Sequence, residues 1–218
     1  MKNVGAAHEN LDQKVYLILK QMITDRKLLP GEKIPQEKLA QNLGISRTPL
    51  VNALKYLEKE KLVEARPRRG FFVRLFSRDE MISIFELRQV LEGLAARRTA
   101  ETITRKEMKR LNRFFEKFSI PGPITDLIGY SKEDREFHGY IAELGSKEFL
   151  KSVLQSYNII SFSYQFGNSE GLVRLPADTI GEHLAIIDAI GRRDPDVAET
   201  LMREHFQKAI ENIKSGLA

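Results

Sequence analysis

Ser46-Arg47-Thr48-Pro49 stands between two amphipathic runs, Glu37 to Leu43 and Leu50 to Leu62, and a basic stretch follows, Ala65-Arg66-Pro67-Arg68-Arg69-Gly70-Phe71-Phe72-Val73. Helix, tight turn, helix and basic hairpin is the order of a winged helix-turn-helix, which sets the start of its second helix against base edges. Upstream, Leu11 to Asp25 carries Val15, Leu17, Ile18 and Met22 at helical spacing. Leu28-Leu29-Pro30-Gly31 ends that run. Pro35 opens a second helix with Leu39, Ala40 and Leu43 inward, and Gly44 suits a left-handed cap. Ser46 is expected to N-cap the third helix with its hydroxyl, and Leu50, Leu54, Leu57 and Leu62 continue the apolar stripe. Val63 to Ala65 and Phe71 to Val73 read as two short strands.

The residues placed to touch DNA are then Ser46, Arg47, Thr48 and Asn52 on the recognition helix, with Arg68, Arg69 and Gly70 on the wing. Arg47 can take a guanine edge or a phosphate, and Ser46 and Thr48 suit phosphates. Arg68 and Arg69 can reach phosphates or a minor groove, and Gly70 lets the backbone turn and approach closely. The other reading of each of these arginines is an ordinary surface residue. Charge weighs against that reading. Up to Ser77 there are 15 Lys and Arg against 8 Asp and Glu, an excess of seven positive charges; from Arg78 onward the counts are 20 and 22, an excess of two negative. The net +5 of the chain therefore comes wholly from the first third, where a polyanion partner is expected.

The remaining composition excludes several classes. With 218 residues, 42 % hydrophobic and 30 % charged, the chain can bury a sizeable core. No apolar run approaches the roughly 20 residues that span a bilayer, and Met1-Lys2-Asn3-Val4-Gly5 lacks an apolar signal core. There are 0 cysteines, so disulfides and thiolate metal sites are excluded. A cytoplasmic location without membrane contact is expected.

From Arg78 the strong patterns are helical. Met81, Ile84, Phe85, Leu87, Leu91 and Leu94 mark the inner face of a long helix. Further helices are expected over Lys106 to Phe118, Ile124 to Leu144, Lys147 to Phe166, Asp178 to Ile190 and Pro195 to Ile213. The expected fold is mainly α: a winged helix-turn-helix of three helices and a small β-wing over residues 1–77, then an all-α bundle of about six helices over residues 78–218. The junction falls at Phe76-Ser77.

Three of the four histidines lie in the helical part: His138, His183 and His205. Asp134 and His138 are i and i+4 and share a helix face, as a plain helix ion pair also would. Taken singly, each histidine on an apolar face reads as a satisfied core residue. Taken together, three imidazoles and a carboxylate converging in a bundle core form a donor set for Zn²⁺ or Ni²⁺ rather than Mg²⁺ or Ca²⁺.

The run from Leu29 to Val73, with Gly44-Ile45-Ser46-Arg47-Thr48-Pro49, Ala53-Leu54, Leu57 and Arg69-Gly70-Phe71-Phe72-Val73, resembles the GntR family of bacterial transcription regulators. Where that family usually shows Pro-Val-Arg-Glu-Ala-Leu, this chain has Pro49-Leu50-Val51-Asn52-Ala53-Leu54, so a typical arginine contact is replaced by Val51 and Asn52 is left to pair with an adenine edge. Glu86-Leu87-Arg88, Leu91-Glu92 and Ala95-Ala96 look like the start of the helical FCD effector domain of the FadR subfamily. Asp134-Arg135-Glu136-Phe137-His138, Glu182-His183 and Met202-Arg203-Glu204-His205 match the positions where metal-binding members carry Asp, His, His and His.

The resemblance implies a metal held by Asp134, His138, His183 and His205, with open positions completed by a small carboxylate effector. Arg88 is the candidate for its carboxylate, unless it pairs with a neighbouring glutamate; Tyr164 and Asn168 are further candidates for the pocket wall. The expected molecule is a homodimeric repressor of a near-palindromic DNA operator, controlled by that effector, and not an enzyme. Two alternatives stand beside it: a regulator for which the metal itself is the signal, and a metal-dependent hydrolase, for which no separate general base is evident.

Overall fold

The computed structural model describes residues 6–118, 123–146, 150–154 and 172–216, and divides into two compact units, Met1–Phe76 and Ser77–Ala218. The first holds α1 (Ala6–Thr24), α2 (Gln36–Leu43), α3 (Arg47–Lys59) and the strands β1 (Val63–Arg66) and β2 (Gly70–Val73). β1 and β2 pair antiparallel, with Val63 opposite Val73 and Arg66 opposite Gly70. This is a winged helix-turn-helix, as expected.

Local chemistry sets its corners. Gly44 ends α2 at φ 64° and its backbone N–H returns to the last turn, a left-handed conformation that costs glycine nothing sterically. Gly31 N donates to the Val73 carbonyl, Val73 N to that of Glu32, and Ile34 N to that of Phe71. The chain entering α2 is thereby laced to β2, a pairing the sequence pattern did not suggest. α1 packs on α3, with Val15, Leu19 and Ile23 buried on one and Leu50, Ala53, Leu54 and Leu57 on the other. Each of the larger side chains, Ala53 apart, stabilises the unit by roughly 1.5–3 kcal/mol.

Two expectations need correction here. Leu17 and Ile18 do not face the core, being 55 % and 41 % exposed, because the i, i+4, i+8 stripe runs through Val15, Leu19 and Ile23. Ser46 occupies the N-cap of α3 but its side chain makes no cap hydrogen bond.

The second unit holds α4 (Arg78–Thr102), α5 (Arg105–Leu111), α6 (Leu127–Gly145), α7 (Pro176–Gly191) and α8 (Pro195–Ser215), with residues 150–154 also helical. Ser77 and Glu80 form a capping box at the start of α4, and Thr104 and Glu107 form another at α5. Pro176 and Pro195 stand at the first positions of α7 and α8, where a missing N–H is harmless.

α4 packs against α6, α7 and α8. An added Cβ at Gly145 would run into the Ala95 carbonyl, so α6 crosses α4 at close range. The inner face of α4 differs from the expected one. It is Met81, Ile84, Phe85, Arg88, Glu92, Ala95, Ala96 and Thr99, whereas Leu87 is 43 % exposed and Leu91 and Leu94 are half-buried. The hydrophobic pattern did not reveal that a charged pair sits in the inner stripe. α5 stops at Leu111 rather than continuing to Phe118; turns follow, and Phe115 at φ 67° lets Phe114 and Phe115 both be buried. Most of the expected helix from Lys147 to Phe166 lies outside the described residues. No described helix is long and apolar enough to cross a membrane.

Candidate metal centre and nucleic-acid surface

In the first unit, Ser46, Arg47 and Thr48 are exposed at the start of α3. Arg47 shares a concave surface of about 410 Å³ with Arg68, Arg69 and Gly70 of the wing, with Lys33 just before α2 and with Gln36 and Lys38 in its first turn. Five cations therefore border one groove. Gly70 has φ 92°, and an added Cβ there would meet Gln36 Nε2 at 3.0 Å, so the wing lies close against the start of α2. Arg68 at the hairpin tip also has positive φ, 60°. Asn52 stands apart from this groove, donating from Nδ2 to Asp12 Oδ2 at 2.9 Å. Lys33 and Lys38 were not singled out in the sequence; only the lacing of residues 31–34 to β2 brings them to the wing.

In the second unit, α6, α7 and α8 bring together His138, His183 and His205, which are 1 %, 0 % and 7 % exposed. One donor atom from each lies within 4.8 Å of the others. Asp134 Oδ1 is 3.3 Å from His183 Nε2 and 3.9 Å from His138 Nε2. All four expected ligands are therefore close neighbours. Phe115 stacks on His183 at 4.8 Å, and Phe206 lies 5.3 Å from His138, so aromatic rings wall the cluster.

The partners of the far ring nitrogens fix what the cluster can do. His138 Nδ1 donates to Glu92 Oε2 at 2.6 Å and His205 Nδ1 to Glu182 Oε2 at 2.8 Å, since an ionised carboxylate only accepts. His183 Nδ1 is 3.2 Å from the Tyr130 hydroxyl, itself 2.8 Å from Thr179 Oγ1. Thr179 Oγ1 also reaches the Leu175 carbonyl. Tyr130 and Thr179 thus form a hydroxyl pair behind His183 Nδ1, in which either hydroxyl can donate to the other. Neutral His138 and His205, whose Nδ1 protons go to carboxylates, carry a lone pair on Nε2. His183 Nε2 is fully buried and makes no hydrogen bond, a costly arrangement for a polar atom unless something occupies the space it faces.

For His183 and His205, electrostatics favours the neutral form. Burial pushes His183 well below the usual histidine range, helped by the positive forms of His205 and His138. Burial also lowers His205, outweighing its hydrogen bond to Glu182. Burial alone would raise Glu92 and Glu182. Arg88 and His138 hold Glu92 below its ordinary value, and hydrogen bonds from His205, Arg174 and Lys208 hold Glu182 far below. Burial pushes the Tyr130 phenol far up, so it stays protonated. Imidazoles held from behind, His138 and His205 by carboxylates and His183 by the Tyr130 hydroxyl, are what a divalent ion of the zinc type requires, and the residues present fit such an ion.

A cavity of about 50 Å³ opens beside the cluster, lined among others by Asp134, His138, His205, Arg88, Arg174 and Thr179. A water molecule needs roughly 10–15 Å³ of such space, so there is room for more than an ion. Arg88 lines this cavity and also donates from Nε to Glu92 Oε1 at 2.6 Å, the ion pair with a neighbouring glutamate that its sequence position allowed. Tyr164 and Asn168 lie outside the described residues.

Glu92, Tyr130, Arg174 and Glu182 were missed as site residues. The Arg88–Glu92 spacing of four is visible in the sequence, as is Glu182 beside His183, but neither says which imidazole the carboxylate backs. Glu182 lies behind His205, at its Nδ1. Glu136 lies at the surface near Lys132.

Comparison with known proteins agrees with this division. Residues 11–73 match the family model described as bacterial regulatory proteins, gntR family, and residues 83–208 match the FCD domain. The chain is 25 % identical over 211 residues to the HTH-type transcriptional repressor RspR of Escherichia coli, covering 94 % of this chain and 89 % of that one. It is 30 % identical over 187 residues to the Nta operon transcriptional regulator of Aminobacter aminovorans, covering 84 % and 85 %. A putative GntR transcriptional regulator from Rhodococcus sp. RHA1 shares the fold at a TM-score of 0.79 and 20 % identity, over 94 % of this chain and 97 % of that one.

Proposed function

The chain belongs to the GntR family of transcription regulators and carries an FCD domain, and on that premise we propose that it is a homodimeric repressor whose hold on its DNA operator is set by a small carboxylate at a divalent zinc or nickel centre. The observation that carries this reading is the buried triad His138, His183 and His205, with each Nδ1 tied back and His183 Nε2 left without a hydrogen bond. With Asp134, these residues would hold the ion, which when bound supplies Lewis acidity toward a carboxylate oxygen. Arg88 and Arg174 then offer the cationic wall for the rest of the anion.

DNA contact falls to Ser46, Arg47 and Thr48 and to Arg68, Arg69 and Gly70, with Lys33 and Lys38 bordering the same groove. Asn52, engaged by Asp12, reads a base only if it leaves that partner. Repression is favoured by the name of the Escherichia coli relative, a repressor. Two-fold association is favoured by α4, where Leu87 and Val90 stay 43 % and 49 % exposed, an apolar strip suited to a second copy. Effector binding controls DNA by favouring one arrangement of the protein over another, through a difference in affinity between the two.

An electrophoretic shift on DNA from the chain's own upstream region tests this. Sequence-selective, salt-sensitive binding that Arg47→Ala weakens is expected, with metal-loaded protein responding to added carboxylates. A response to Zn²⁺ or Ni²⁺ alone, across a buffered range, would make the ion the signal. Absence of selective binding at any salt would overturn the reading.

A further inference from the structure

Glu92 is 1 % exposed on α4, and its two oxygens serve two different partners. Oε1 accepts from Arg88 Nε at 2.6 Å, and Oε2 accepts from His138 Nδ1 at 2.6 Å. Arg88 and His138 both line the cavity beside the histidine cluster. One buried carboxylate thus joins the cavity arginine to a member of the triad. Glu182 bridges Arg174 and His205 in a similar way, but it also receives Lys208 and is 17 % exposed, so water and a third cation share its charge.

We propose that Glu92 is a positioning residue that holds His138 in its Nδ1–H tautomer and Arg88 in the cavity wall at once, so that an anion taken up by Arg88 alters the donor strength of His138 Nε2. This rests on the metal-centre reading above. A carboxylate presents an acceptor to each of two donors. An amide in its place presents one acceptor and one donor, so a glutamine must fail one partner. If its amide N–H₂ faces His138, the ring proton moves to Nε2 and blocks the lone pair. If its oxygen faces His138, Arg88 loses the Oε1 acceptor. In the wild type, an anion that draws the guanidinium off Oε1 leaves the Glu92 charge to His138 alone. That strengthens the Nδ1–H bond and makes Nε2 a better donor, as carboxylates behind ligating histidines do. Anion at Arg88 and metal at His138 then bind with positive, reciprocal coupling.

The test uses the full chain. Nitrogen NMR of the metal-free wild type should show His138 protonated at Nδ1 and bare at Nε2, and Glu92→Gln should abolish or mix that pattern. By competition with a chromogenic chelator, Glu92→Gln should weaken Zn²⁺ about 10–100-fold. Arg88→Gln should change Zn²⁺ affinity in the wild-type background and leave it unchanged when Glu92→Gln is already present. An Nε2–H tautomer in the wild type, wild-type Zn²⁺ affinity in Glu92→Gln, or an equal effect of Arg88→Gln in both backgrounds would overturn the proposal. Should the wild type take up no Zn²⁺, the metal reading fails on its own, and the tautomer of His138 in the two proteins decides the role of Glu92. Should Glu92→Gln not fold, the His138 nitrogen shifts in Arg88→Gln decide it, and unchanged shifts overturn it.

Discussion

The winged unit and the helical unit use polar residues in opposite ways. In the first, Ser46, Arg47, Thr48, Arg68 and Arg69 stand exposed on a short stretch of chain, and turn chemistry alone presents them. In the second, His138, His183 and His205 come from three helices and are almost wholly buried, each with a partner behind it. An exposed cation loses little when its neighbours change, because water and salt already screen it. A buried donor depends on every group that keeps it neutral and oriented. Substitutions should therefore act on function with stability intact in the first unit, and on both together in the second.

The sharpest break is His183→Ala. Native mass spectrometry of tag-free protein should show one ion per chain in the wild type and none in the variant, with DNA binding at low salt preserved. An ion retained by His183→Ala would separate the triad from metal binding. Removing the ion with a chelator comes next. A ligand held at 100 times its dissociation constant stabilises by about 2.7 kcal/mol. Calorimetry should show the loss in the melting of the helical unit, while the winged unit melts unchanged in the isolated fragment 1–76 if that piece folds. An equal loss in both would mean that the ion is not confined to the second unit.

Arg47→Ala should lower operator affinity by roughly 1–3 kcal/mol if it pairs with a base edge, and relax selectivity at one position. Lys38→Ala, on the rim of the same groove, should weaken all sequences alike and reduce the salt slope by about one. Thermal melts of both variants should match the wild type. If Arg47→Ala instead weakens all DNA equally, it is a phosphate contact.

The two units also differ in how far the sequence discloses them. The element order, the Gly44 cap and the strands of the winged unit are written in adjacent residues: Gly44 after Leu43, Arg68-Arg69-Gly70 at a hairpin tip. The lacing of residues 31–34 to β2 is not, because it depends on pairing across some 40 residues. In the helical unit the four donors were legible through the family motif, since each motif holds its donor in a short string. Glu92, Tyr130 and Glu182 were not, because hydrogen bonds to Nδ1 join residues 23 to 53 positions apart and no periodicity encodes them. The hydrophobic stripe of α4 even misled: it drew Leu87 inward, where packing places Arg88 and Glu92. A buried ion pair is favourable only with both partners satisfied, and that is a property of the assembled site.

Two serines make the smallest and cleanest comparison. Ser46 and Ser77 both stand at helix N-caps in extended backbone, at φ −73° and −72°. Ser77 accepts from Glu80 N and completes a capping box, whereas Ser46 makes no cap bond. Ser77→Ala should therefore cost about 1 kcal/mol of stability, read as a shift in the denaturant midpoint without a change in slope. Ser46→Ala should stay within about 0.5 kcal/mol of the wild type. Its effect belongs instead in DNA binding, because a hydroxyl not spent on the helix is available to a phosphate. If Ser46→Ala destabilises as much as Ser77→Ala and leaves DNA affinity unchanged, the hydroxyl caps α3 in solution and the DNA-facing role passes to Arg47 and Thr48 alone.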